Sequence, residues 1–237
     1  MTGWILKLSL SLLLISCSPA TERPATPSKV VSKDSTIGSH NAKKDSLKEA
    51  KDFLENELKS LIDLKIINKK KSDKLAEILS AVKVEFLNPD GDRKEAFLIV
   101  HKEVASQIKS IFKEIADSGF VIDKIEPMSK YKWSDDSSMV YNNTSCFNYR
   151  LVSGTRSMSK HAYGLALDIN PFWNPFVSGK RVSPKGAQYD PAKNGTIHRK
   201  AQIYKIFIKN GWKWGGDWKP YQDYQHFFYD KIKVKTF

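Results

Sequence analysis

The sequence predicts an α+β fold, and three stretches carry that prediction. Residues 82–86 alternate apolar and polar side chains and are joined by a four-residue turn to the 95–100 run, residues 104–115 repeat apolar side chains at helical spacing, and residues 165–170 alternate again. An antiparallel sheet flanked by helices accommodates all three, because a hairpin and an amphipathic helix each have one apolar face to cover.

Taken from the N-terminus, Lys7 is followed by LSLSLLLIS and then Cys17. A basic start, a short apolar run and small residues describe a secretory signal over 1–16, and the run is too short for a span of about 20 residues. Leu14-Ile15-Ser16-Cys17 resembles the bacterial lipobox, which implies that Cys17 is acylated and becomes the new N-terminus. The protein is then expected in the cell envelope, lipid-anchored on the outer side of the cytoplasmic membrane or on the outer membrane. Residues 17–45, mostly Ser, Thr, Pro and Lys, cannot bury a core and are expected to form a disordered tether. Residues 46–80 carry Phe53, Leu54, Leu58, Leu61, Ile62, Leu75, Ile78 and Leu79 at helical spacings, which predicts a helical spacer of two helices broken near Asn68.

The main domain is expected over 81–237. It opens with a hairpin around Asn88-Pro89-Asp90-Gly91, followed by a helix that ends at Gly119. Residues 121–126 read as a further strand and 129–144 as a polar loop. The 171–196 stretch is rich in proline and glycine, 201–209 reads as a helix ending at Gly211, and 212–229 returns to the sheet.

The chemistry centres on SKHAYGLALDIN, residues 159–170. Leu165, Leu167 and Ile169 face one way while Ala166, Asp168 and Asn170 face the other, so Asp168 sits on the less apolar face of a half-buried strand. Gly164 lets the backbone turn so that His161 swings back over the Asp168 carboxylate. Two ligands of the kind zinc takes are thereby paired, and His226 in DYQHFFYD is the candidate third, with a fourth position open.

Ser159, His161, Gly164, Ala166 and Asp168, with Asp223 and His226 much later, form S-x-H-x-x-G-x-A-x-D followed by D-x-x-H. This pattern resembles the VanY-like D-alanyl-D-alanine carboxypeptidases and L-alanyl-D-glutamate endopeptidases, a family of zinc peptidases. The likeness extends through NNTSCFNYR, INPFWNPFV and WKWGGDW, and covers roughly residues 82–229. It implies a fold like that of the hedgehog and D-Ala-D-Ala peptidase domains, a Zn²⁺ cofactor and a peptidoglycan stem peptide as substrate. The implied activity is a D,D-carboxypeptidase, with L-alanyl-D-glutamate endopeptidase and a non-catalytic zinc-containing cell-wall-binding module as alternatives.

Roles follow from the resemblance together with side-chain chemistry. His161, Asp168 and His226 are the expected metal ligands. Asp223, three residues before His226, is the expected general base. Arg150 is the expected oxyanion holder, because a guanidinium keeps its charge and offers directed donors; Arg156 competes for that role. Ser159 is expected to order its loop by hydrogen bonds, and Asp217 to orient a ligand or contact substrate.

The remaining features constrain partners. The 39 Lys and Arg against 26 Asp and Glu leave a net charge of +13, spread along the chain. Such spreading fits attraction to a polyanionic envelope better than a groove reading nucleic acid, so no specific nucleic-acid partner is expected. A monomer is expected. If Cys17 is acylated, Cys146 has no partner for a disulfide and reads as a small core residue. His40, His101 and His198 have no ligand-spaced partners, and Trp173, Trp212, Trp214 and Trp218 read as core or pocket wall.

Overall fold

The computed structural model describes residues 34–234. The expected signal segment, Cys17 and the first part of the tether lie outside the described residues, as do the side chains before residue 44, His40 among them. The first element is helix α1 (Asp34–Asp63), which begins inside the stretch expected as tether. Helix α2 (Lys69–Ile78) follows, and the break falls at Asn68, whose side chain caps α2 by accepting from the Lys71 N–H.

The two helices pack on the rest of the chain. Leu58, Leu61 and Leu75 are buried against Ile99, Met128, Trp133 and Phe147. Each such side chain stabilises by about 1.5–3 kcal/mol when fully buried. Polar contacts fix the same interface: Trp133 Nε1 donates to Ser60 Oγ at 2.8 Å, and the Ser129 N–H donates to Glu57 at 3.1 Å. Burial pushes the Glu57 carboxyl above its usual pKa, with the Ser129 hydrogen bonds opposing.

Strands β1 (Leu79–Leu87) and β2 (Arg93–His101) form the expected antiparallel hairpin, Leu87 pairing with Arg93 across the Asn88–Asp92 turn. Helix α3 (Ala105–Asp117) lays Ile108, Ile111, Phe112 and Ile115 on the hairpin, and the left-handed Gly119 (φ 76°) follows its end.

Beyond α3 the expected single sheet is corrected. The described residues pair into small separate sheets, because loops and short turns interrupt the strands before they lengthen. Strand β3 (Lys124–Ile125) is shorter than the 121–126 run expected, and pairs in parallel with β4 (Asn143–Thr144). Between them lies helix α4 (Asp135–Val140), in a stretch expected to be loop; Ser134 caps it by accepting from the Ser137 N–H.

Strand β5 (Ala166–Asp168) is an edge of a three-stranded sheet with β10 (His226–Phe228) and β8 (Lys213–Trp214) in the order β5-β10-β8. All three of its residues are buried, so it is not the half-buried strand expected, and Ser145 closes its outer edge through reciprocal backbone bonds to Asp168 at 2.9 and 3.0 Å. Strands β6 (Phe176–Ser178), β7 (Arg181–Ser183) and β9 (Gln222–Asp223) form a second antiparallel group, ordered β7-β6-β9. Helix α5 (Gln202–Lys209) packs Phe207 flat on Phe227, with ring centroids 4.1 Å apart. Trp212 and Trp214 are core residues, and among the described residues no helix is long and apolar enough to cross a membrane.

Candidate metal centre

The site is assembled where β5 and β10 pair, with His226 directly opposite Asp168. His161 arrives on a 3-10 turn, Lys160–Tyr163, ended by Gly164 with φ 63°. Only glycine fits there: a Cβ would lie 2.5 Å from the His101 nitrogen and 2.6 Å from the Val100 carbonyl carbon. The turn is capped by Ser159, whose Oγ accepts from the His161 N–H at 3.3 Å while its own N–H donates to the Arg150 carbonyl at 3.0 Å. Ser159 therefore joins the segment carrying Arg150 to the turn carrying His161.

Within this frame, ligand-capable atoms of His161, Asp168 and His226 all lie within 4.8 Å of one another. His161 Nε2 is 3.2 Å from Asp168 Oδ2 and 3.2 Å from His226 Nδ1, and His226 Nδ1 is 2.8 Å from Asp168 Oδ1. The other nitrogen of His161, Nδ1, is 2.6 Å from the Cys146 carbonyl. A carbonyl only accepts, so Nδ1 carries the proton and Nε2 presents its lone pair to the cluster. Two imidazole nitrogens and a buried carboxylate with a nitrogen so oriented are a donor set that fits Zn²⁺.

The electrostatics follow from burial. Burial alone pushes the Asp168 carboxyl up, but His161 and His226 outweigh it and hold its pKa well below the usual range. Burial also pulls His226 down, and the hydrogen bond and charge of Asp168 more than offset that, so its pKa is raised. Asp223 behaves differently: burial pushes its pKa up to about 6, the Asp168 charge adds to this, and His226 and the Gln225 amide oppose it.

The other expected residues separate clearly. Arg150 is partly buried, with Nε 3.1 Å from Asp135 Oδ1, and its charge is felt at His226. Arg156 is exposed on the 151–158 loop. Asp217 Oδ1 accepts from Arg199 Nε at 2.9 Å, so among the described residues its side-chain partner is an exposed arginine. The imidazole of His161 is oriented by the Cys146 backbone, a role no side-chain motif could reveal. Cys146 itself is a free, buried thiol whose pKa burial raises.

Sequence reasoning also missed Asp135, Gln225 and Gly215. The Ser134-Asp135-Asp136 run is a helix-start signal that marks α4. At Gly215 a Cβ would lie 2.7 Å from the Asp223 carbonyl oxygen, 2.9 Å from Asp223 Cβ and 3.2 Å from His226 Cβ. The glycine thus lets that turn approach both residues closely. Of the tryptophans, Trp218 lines the site, its ring 5.4 Å from that of His226 and 5.8 Å from Tyr221.

Residues 153–229 match a protein-family model described as D-alanyl-D-alanine carboxypeptidase. The matched span contains Ser159, His161, Asp168, Asp223 and His226, and this supports a hydrolase of the peptidase class. Arg150, α4 and the N-terminal helices precede it. No solved structure matches the chain.

Proposed function

We propose that the protein is a zinc-dependent peptidase that hydrolyses peptidoglycan stem peptides, acting as a D,D-carboxypeptidase. The observation that carries this reading is the His161, Asp168 and His226 cluster, with its ligand atoms within 4.8 Å and the Nδ1 of His161 committed to the Cys146 carbonyl. His161, Asp168 and His226 would hold the ion. Zn²⁺ in such a site supplies Lewis acidity and lowers the pKa of water toward about 7.

The chain's own groups do the rest. Asp223, raised to a pKa of about 6, is ionised at neutral pH yet basic enough to take a proton from water and return it to the leaving amine. Arg150, whose charge is felt at His226, supplies a permanent positive charge for the oxyanion that develops on the scissile carbonyl. Trp218, Tyr221 and Phe176 form a chain of ring contacts beginning at His226, a wall suited to the small apolar side chains of a stem peptide.

Acylation at Cys17 would tether this activity to the envelope, where its substrate lies. Digestion of purified muropeptides followed by mass spectrometry tests the reading. Loss of a terminal D-alanine is expected; cleavage between L-alanine and D-glutamate would identify an endopeptidase, and unchanged muropeptides with zinc-loaded protein would leave a binding module.

A further inference from the structure

Helix α4 lies in a stretch expected to be loop, yet it meets Arg150 through Asp135 and, through Met139, the Gln225 amide that donates to Asp223. Asp135 and Met139 are four residues apart and so share one helix face. Asp135 Oδ1 accepts from Asn148 Nδ2 at 3.1 Å and lies 3.1 Å from Arg150 Nε, close enough for an ion pair though not aligned as a hydrogen bond. One turn on, Met139 Sδ is 3.6 Å from Gln225 Nε2, and the same amide donates to Asp223 Oδ1 at 3.2 Å.

A second observation marks this side of the site. Asn148 and Gln225 are only 1% and 3% exposed, and their amide oxygens, together with Arg150 Nε, are buried atoms without a hydrogen-bond partner. The carboxylates of Asp135 and Asp223 accept, so each NH₂ end faces its carboxylate and each oxygen is the end left open. A buried unpaired polar atom costs about 1–3 kcal/mol.

We infer that α4 positions the reacting groups: Asp135 is the positioning residue for Arg150, and Met139 acts through Gln225 on Asp223. The inference rests on the peptidase reading for its catalytic consequence but not for its geometry. Asp135 restrains the guanidinium at Nε and the Leu151 carbonyl accepts from Nη1 at 3.5 Å, which leaves Nη2 for the substrate oxygen. The cost of losing that restraint falls on the transition state, where the oxygen carries its charge, and not on binding of the neutral amide.

Asp135→Asn keeps the shape and removes the charge. In the full zinc-loaded protein we expect kcat on muropeptides to fall about 10–100-fold, the range that misplacement of a catalytic group by an ångström produces. KM should stay within about 3-fold and zinc content should not change, because only transition-state stabilisation is lost. Asp135→Glu should recover part of the rate, and Met139→Ala should lower kcat with its zinc retained. Independently of zinc and substrate, the Arg150 Nε–H resonance of the metal-free protein, assigned by its loss in Arg150→Lys, should shift in Asp135→Asn. Parental kcat in Asp135→Asn, loss of its zinc, or a change confined to KM overturns the inference. An unmoved Arg150 resonance in an active parent overturns the assignment of Asp135 alone, whereas a zinc-loaded parent that hydrolyses nothing overturns the peptidase reading and with it the catalytic role of α4.

Discussion

The Nδ1–H of His161 donates to the backbone carbonyl of Cys146 at 2.6 Å, and the Asn148 N–H donates back to the His161 carbonyl at 3.2 Å. The residue between, Phe147, packs its ring against Trp133 at 5.5 Å, and Trp133 is bonded to Ser60 of α1. A candidate metal ligand is thereby connected to a helix that lies outside the matched peptidase span, and the site depends on more of the chain than its motif.

Removing either imidazole should abolish stoichiometric zinc. Metal analysis of the purified protein is expected to find about one zinc per chain, and His161→Ala or His226→Ala to lose it, since two remaining ligands hold the ion poorly. Full zinc content in both variants would place the metal elsewhere.

Asp223→Ala should retain its zinc and lose hydrolysis by about 10²–10⁴-fold, the usual share of general acid–base catalysis. Asp217→Ala, whose carboxylate is held by Arg199, should keep both zinc and most of its activity. Steady-state rates and metal content of the two variants, measured side by side, check the order.

The pH profile follows from the direction of the Asp223 shift. The active form is the carboxylate, so the rate is lost as pH falls through its pKa, raised by burial to about 6 in the metal-free site. A cation bound nearby favours the charged form and moves this limb lower, so the acidic limb of kcat/KM should lie at or below about pH 6 and disappear in Asp223→Ala.

Gly215→Ala tests the close approach of its turn to Asp223 and His226. The added methyl would meet Asp223 backbone at 2.7 Å, and a backbone contact cannot rotate away. We expect weaker zinc binding and a large loss of activity with the far-ultraviolet circular dichroism retained; parental zinc affinity would show that the turn relaxes freely.

Leu61→Ala should destabilise the whole domain. Leu61 is fully buried in a cluster with Ile99, Met128, Trp133 and Phe147, and such truncations cost about 2–5 kcal/mol. Urea unfolding should show one cooperative transition at lower midpoint. A separate early transition of the helices would mean that they fold apart from the catalytic residues.

Much of the architecture was legible because it is written in local periodicity. The β1–β2 hairpin, α3, α5 and the break at Asn68 each follow from side-chain spacing and a capping or turn residue, features that need no distant partner. That His161, Asp168 and His226 could meet was legible for a different reason, since a metal-binding cluster restricts both the residue types and the turn between them. What stayed hidden depends on contacts between segments far apart in sequence. Periodicity cannot show that Ser145 closes the outer edge of β5, that Arg199 takes Asp217, or that α1 reaches Phe147 through Trp133. The order of chemistry-bearing residues was thus set along the chain, whereas their orientation was decided by tertiary packing: a backbone carbonyl chooses the free nitrogen of His161, and burial sets the basicity of Asp223.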